Sequence, residues 1–236
     1  MTRFLLVRHG AHDLLCRGII AGRQRGVHLN ATGKKQAEQI AAGFSALPIP
    51  IDAVYSSPLE RARETAAPLA SKLRLPLQVA DEFNEIDFGE WTNRAFVDLD
   101  DLPEWQRWNQ FRSLALTPAG ESMLKVQQRA LQKIAELRQR HKFVAVFTHG
   151  DVIRAMLAYF LGVHLDLFQR IEVDAASSSL IELQDLDVRV RCINFPVSSS
   201  GFSSFFPQIP RGINDHETFV TVQQQHGLQS RRGMIV

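Results

Sequence analysis

Two short motifs, "VRHG" at 7–10 and "FTHG" at 147–150, each end an apolar run on a histidine followed by glycine. An imidazole with its unperturbed pKa of about 6.5 is available as a nucleophile or proton carrier at neutral pH. Arg8 precedes His9, and Arg61 and Arg63 follow in "PLERARETA" at 58–66. A guanidinium presents a planar fork of donors that matches phosphate oxygens better than an ammonium does. Histidine flanked by arginine therefore points to phosphoryl chemistry, which asks mainly for positioning and charge stabilisation. A proton donor for a leaving alkoxide would come from "EFNEIDFGEW" at 82–91, where Glu82, Glu85, Asp87 and Glu90 are all candidates and spacing alone does not choose. A competing reading is a metal site built from His9, His12 and Asp13, although their spacing is not that of a helical HExxH pair.

For His9 and His149 to act together, the elements before them must be neighbours. "FLLV" at 4–7 and "FVAVF" at 143–147 are apolar without alternation, as expected for parallel strands covered on both faces, and "DAVYSS" at 52–57 is similar. Ligands of open parallel sheets sit beyond the carboxyl ends of the strands, so both histidines are expected in one crevice. Helices are predicted between the strands. One starts near Thr32 and carries Ala37, Ile40, Ala41, Phe44 and Leu47. A second is capped by Ser57-Pro58 and reaches about Leu73. A third, with Ser122 as cap, carries Met123, Val126, Ala130, Ile134 and Leu137, and a fourth follows Gly150. The last would aim free N–H groups and a positive dipole end at an anion in the crevice. "SSSLIELQ" and "DVRVRCI" read as an antiparallel pair at the sheet edge.

The result is an α/β three-layer sandwich, a mainly parallel sheet flanked by helices. The stretch 88–116, with Trp91, Trp105 and Trp108, breaks the rhythm and reads as a small helical insertion able to roof a pocket. From residue 195 the chain turns rich in Ser, Gly, Pro and Phe without a period. The expected division is a domain over 1–194 and an irregular or disordered tail over 195–236, whose phenylalanines have the domain or a partner as docking sites.

Composition narrows the function. A net charge of +2 is too small for a dedicated nucleic-acid binder, but no acidic residue lies between Asp13 and Glu38, where Arg17, Arg23, Arg25, Lys34 and Lys35 fall. A positive loop beside the candidate site favours an anionic substrate. Cys16 and Cys192 form no CxxC pair, which suits a reduced, cytoplasmic protein without a disulfide framework or zinc site. The N-terminal apolar run is too short for a signal peptide, and no stretch is long enough for a membrane span. The expected partners are a small phosphorylated metabolite and, for assembly, a second copy of the chain as a homodimer, with no nucleic acid, membrane, cofactor or metal.

"LVRHG", "YSSPLERARETA", "NEIDFGEW", "GES" before a helix and "FTHGDVIRAML" occur in the order of the histidine phosphatase superfamily, and the sequence resembles its phosphoglycerate mutase-like branch over about residues 3 to 194. The resemblance implies a metal-independent phosphatase in which His9 is the nucleophile and forms a phosphohistidine. Arg8, Arg61 and His149 would surround the transferring group, and Glu85, four positions before the glycine of the "FG" pair, would be the acid–base residue. Gly10, Gly22 and Gly150 would line the substrate loop and phosphate site, with Arg23 and His28 as further candidates. The resemblance leaves two rivals: a phosphoglycerate-type phosphomutase using the same intermediate, and a non-catalytic phosphate-binding regulatory module. Many relatives carry a hydroxyl residue two positions after the RHG motif and an Asn three beyond that; here His12 and Leu15 stand there, which weakens the case for a phosphoglycerate substrate.

Overall fold

In the computed structural model, residues 1–196 are described together with Ser204 and Phe206. Strand β1 (Thr2–Arg8) and the short helix α1 (Asp13–Cys16) are followed by α2 (Ala31–Ser45), β2 (Ala53–Ser56), α3 (Glu60–Leu73) and β3 (Leu77–Val79). Next come three 3-10 turns and α4 (Pro103–Gln110), then α5 (Met123–Arg138), β4 (Phe143–Thr148), α6 (Gly150–Leu161), β5 (Ser178–Leu183) and β6 (Val188–Phe195). The sheet order is β3-β2-β4-β1-β5-β6. The first four strands run parallel; β5 turns back against β1, and β6 pairs antiparallel with β5 at the edge. This is the expected α/β sandwich, with one strand, the three-residue β3, that the sequence reading did not contain.

The absence of alternation in β1 and β4 has its cause in the two cores. Phe4, Leu6, Val144 and Val146 face one core, filled by the apolar stripes of α5 and α6. Leu5, Val7, Phe143, Ala145 and Phe147 face the other, filled by Ile40, Ala41 and Phe44 of α2 and by Ala66, Leu69 and Ala70 of α3. Both faces are dry over 4–7 and 143–147, so every one of those positions is apolar. Helix α5 begins where expected, with Ser122 Oγ accepting from Lys125 N–H at 3.2 Å. Helix α2 ends at Ser45, so Leu47 packs from beyond its last turn.

Helix α3 differs from the expectation. Its cap is Leu59, two residues later than Ser57, and makes no side-chain capping bond. The Ser57 hydroxyl is engaged elsewhere, at 2.7 Å from His149 Nε2.

The insertion is confirmed as 3-10 turns plus α4. Its three tryptophans pack together, with Trp91 edge-on to Trp105 at 5.1 Å and Trp105 stacked on Trp108 at 5.3 Å. The predicted tail, 195–236, lies outside the described residues except for Phe195, which ends β6, Pro196, Ser204 and Phe206. Phe206 is buried, with its ring 5.6 Å from that of Phe143. No helix among the described residues is long and apolar enough to cross a membrane.

Candidate active site

Strand register brings the two histidines together. Arg8 pairs with Thr148 at the last rung of β1 and β4, and His9 N–H donates to Thr148 O at 2.9 Å, one step beyond. His9 and His149 therefore leave the sheet side by side, with ring centroids 5.1 Å apart. Arg61, in the first turn of α3, reaches between them. Its Nε lies 3.4 Å from His9 Nε2 and its Nη2 3.3 Å from His149 Nδ1. Nη2 also donates to Gly22 O at 2.7 Å. The buried His9 ring places Nδ1 2.9 Å from Gly10 O. That carbonyl can only accept, so Nδ1 carries the proton and Nε2 keeps its lone pair on the Arg61 side.

Beside them lies a cavity of about 130 Å³ whose lining includes Arg8, His9, His12, Arg61, Glu85 and Gly150, while the fully buried His149 is off its wall. Arg61 is 1% exposed, and burial pulls its pKa down to about 10. Arg61 Nη1 and Arg8 Nε are buried without a partner, so two guanidinium donors stand ready for an anion. Burial, then Arg61 and Arg8, holds His9 well below its ordinary value, and burial, Arg61 and His9 do the same for His149. Both rings are neutral at neutral pH. The Glu85 carboxyl lies 3.6 Å from His149 Nδ1 and is pushed up to about 7, by burial first and then by the Asp151 carboxylate, against the opposing pull of Arg61 and Arg8.

The other carboxylates of the 82–91 stretch lie elsewhere. Glu82 pairs with Lys133, Asp87 accepts from Gly89 N–H, and Glu90 is exposed. His12 lines the cavity, its ring 5.1 Å from that of His9, while its Nδ1 accepts from Leu15 N–H at 3.2 Å as the cap of α1. Asp13 is exposed and accepts from Asn30, so it does not join the two histidines. Among the described residues no three His, Cys, Asp or Glu side chains are grouped to hold a metal ion.

The glycines divide. Gly150 opens α6 under the Arg8 guanidinium, where a Cβ would stand 3.2 Å from Nε. Gly22, at φ +48°, lies on the cavity wall with its carbonyl turned to Arg61. Gly10 is off the wall: its N–H donates to Thr65 Oγ1, and a Cβ there would meet Gly33 O at 2.9 Å. Its small size serves the packing of the loop on α2, rather than the approach of an anion. Arg63 and His28 are exposed, His28 pairing with Glu64. Arg23 turns away from the cavity to Glu121 and the Glu85 carbonyl.

Sequence reasoning missed Ser57, Asp151 and Arg154. Arg154 stands one turn after Gly150 on α6, which puts both on one helix face, so its signal was present in "GDVIRA". Ser57 carried no signal beyond its apparent capping role.

A second chamber of about 400 Å³ shares Phe88, Phe96, Asp151 and Arg154 with the first and continues to Trp105 and Trp108. The insertion thus borders the site as expected. Arg112, 3% exposed, lies over the Trp108 ring at 3.3 Å and pairs with Asp151 at 3.4 Å. Its Nε and the Trp108 Nε1 are buried without partners.

Comparison with known proteins agrees with this geometry. The family model for the histidine phosphatase superfamily (branch 1) matches residues 4–196. Phosphoserine phosphatase 1 of Hydrogenobacter thermophilus is 32% identical over 78% of this chain and 88% of its own length. The adenosylcobalamin/alpha-ribazole phosphatase of Escherichia coli is 29% identical over 81% and 95%. The crystal structure of a putative alpha-ribazole-5'-P phosphatase from Escherichia coli superposes with a TM-score of 0.73 at 28% identity, covering 82% of this chain and 96% of that one. With a family match across the whole sheet and a strand-end crevice built of two histidines and two arginines, the chain belongs to the histidine phosphatase superfamily, branch 1, and its enzyme class is phosphomonoester hydrolase.

Proposed function

We propose that the chain hydrolyses a small phosphomonoester in two steps through a phosphohistidine on His9. The observation that carries this reading is the His9 ring itself. Its Nδ1 is occupied by Gly10 O, and its neutral Nε2 is left with a lone pair beside Arg61, on the wall of the small cavity. In the first step Nε2 attacks phosphorus and the bond from phosphorus to the alkoxide oxygen breaks. Arg8 and Arg61 draw charge from the equatorial oxygens, with His149 alongside, and the protonated Glu85 carboxyl gives its proton to the leaving alkoxide. In the second, the Glu85 carboxylate takes a proton from water. The water oxygen attacks phosphorus, the N–P bond breaks, and inorganic phosphate leaves with His9 neutral again.

The adjoining aromatic chamber suits the leaving group. Its unpartnered Trp108 and Arg112 N–H groups favour a leaving group that carries hydrogen-bond acceptors. Relatives named phosphoserine phosphatase and adenosylcobalamin/alpha-ribazole phosphatase support a polar leaving group of this kind. The free cysteines Cys16 and Cys192 accord with assignment to a reducing cytoplasm.

The test is a panel of phosphomonoesters scored for inorganic phosphate, run with the native protein and His9→Ala. The native protein is expected to release phosphate and acquire an acid-labile label, and the alanine variant to do neither. A labelled, active alanine variant overturns the mechanism. An isomerised phosphoglycerate without free phosphate overturns hydrolysis in favour of a mutase.

A further inference from the structure

The carboxyl of Glu85 is carried by a segment with no regular secondary structure beyond a 3-10 turn at Asp81–Phe83, yet a proton donor has to be held to within a fraction of an ångström. Two arginines grip its backbone. The Glu85 carbonyl accepts from Arg23 Nε at 2.8 Å and from Arg129 Nη2 at 3.1 Å, and Arg129 Nη1 donates to Glu82 O at 2.6 Å. Glu121, from the "GES" turn before α5, ties the arginines to each other. Its Oε2 accepts from Arg23 Nη2 at 2.7 Å and Arg129 Nη2 at 3.1 Å, and its Oε1 from Arg129 Nε at 3.0 Å. The same turn holds the segment further on, where Glu121 N–H and Thr117 Oγ1 both donate to Asp87 O. None of Arg23, Glu121 and Arg129 lines the catalytic cavity.

We infer that Glu121, with Arg23 and Arg129, is a positioning clamp for the acid–base carboxyl of Glu85. Two guanidinium groups converging on one carbonyl repel each other, and the Glu121 carboxylate supplies the charge that lets both stay. Three separate stretches meet there: the loop between α1 and α2, the segment 82–87, and the turn that runs into α5. The inference rests on the reading of Glu85 as the proton donor, and goes beyond it in assigning what aims that donor.

The experiment compares an alkyl phosphate, glycerol 2-phosphate, with p-nitrophenyl phosphate, whose phenolate leaves with little need of a proton. In Glu121→Gln, kcat/KM for the alkyl phosphate is expected to fall about tenfold or more while that for the aryl phosphate changes about twofold or less, since only the first depends on general-acid help. Adding Glu121→Gln to Glu85→Gln is expected to cause no further loss on the alkyl phosphate, because both remove one function. An equal fall on both substrates, no fall on either, or full additivity overturns the clamp. Glu85→Gln alone separates the two levels: if it is not selective for the alkyl phosphate, the reading of Glu85 fails. If it is selective and Glu121→Gln is not, only the clamp fails. Should Glu121→Gln not fold, Arg23→Lys, which leaves the Glu121–Arg129 half in place, is measured on the same pair with the same criteria.

Discussion

The Ser57 hydroxyl stands 2.7 Å from His149 Nε2, and this contact decides which edge of that ring is turned to Arg61 and Glu85. On the other side Arg61 Nη2, which can only donate, lies 3.3 Å from Nδ1. Nε2 therefore carries the proton toward Ser57, and Nδ1 faces Arg61 and Glu85. Ser57→Ala removes the partner from a fully buried N–H, which costs about 1–3 kcal/mol of positioning. The expected result is a roughly tenfold lower kcat with a smaller change in KM, measured in steady state. An unchanged kcat would show that the tautomer is held by other means.

The Glu85 carboxyl, raised to about 7, predicts the alkaline side of the rate profile. Below that value the group is protonated and can donate; above it the carboxylate cannot. For alkyl phosphates kcat/KM should fall as pH rises beyond about 7, and Glu85→Gln should erase that limb while lowering the rate by roughly 10²–10⁴. The groups facing Glu85 are Arg8, Arg61, His149 and Asp151, so Asp151→Asn, which removes the repelling carboxylate, is expected to move the limb to lower pH. A limb that stays in place with Glu85→Gln sinks this assignment.

Neutral buried histidines make the fold sensitive to acid. His9 and His149 are held well below the ordinary value and His12 at about 4, in each case by burial first. A depressed folded pKa means the unfolded chain binds more protons below about pH 6.5, so this stability is present above 6.5 and lost as pH falls. Each such histidine should contribute a slope of about 1.4 kcal/mol per pH unit in that window. Urea midpoints at pH 7.5 and 5.5 check this, with His12→Asn expected to shallow the slope. Equal midpoints would contradict it.

Gly10→Ala should destabilise the protein by about 1–3 kcal/mol, because the added methyl meets Gly33 O at 2.9 Å and Gly33 Cα at 3.0 Å, both rigid backbone. Loss of kcat is expected to accompany the shift in midpoint, since the Gly10 carbonyl orients His9. An alanine variant of native stability would mean that the loop and α2 can part without strain.

Much of this was legible in the sequence because the relevant signals are local. Apolar runs ending in RHG and THG gave the strands and the crevice, and the stripes of α2 and α5 gave the two cores. Ser57 shows where local reading stops: "SP" is a sound capping signal, but the hydroxyl answers a histidine far along the chain that only the fold brings near. β3 is only three residues long and half exposed, so it offers no run to detect. By sequence, Arg23 is a candidate substrate contact only through the resemblance of its loop to the family's substrate loop. Its true partners, Glu121 and the Glu85 carbonyl, come from distant segments and carry no pairwise mark. Among four carboxylates, spacing was silent and the family resemblance singled out Glu85; burial agrees, leaving that one in the cavity.

The shared last rung of β1 and β4 has a kinetic consequence. Arg8 meets Thr148 only when two strands far apart in the sequence have found their register, and β1 is closed on its other side by the still later β5. Such pairings are non-local and form slowly relative to helices. A slip of one residue would turn every side chain of β1 to the wrong core and carry His9 out of reach of His149. Turnover is thus expected to be a late reporter during refolding, with helical signal returning first and phosphate release waiting for β1 to pair with β4 and β5.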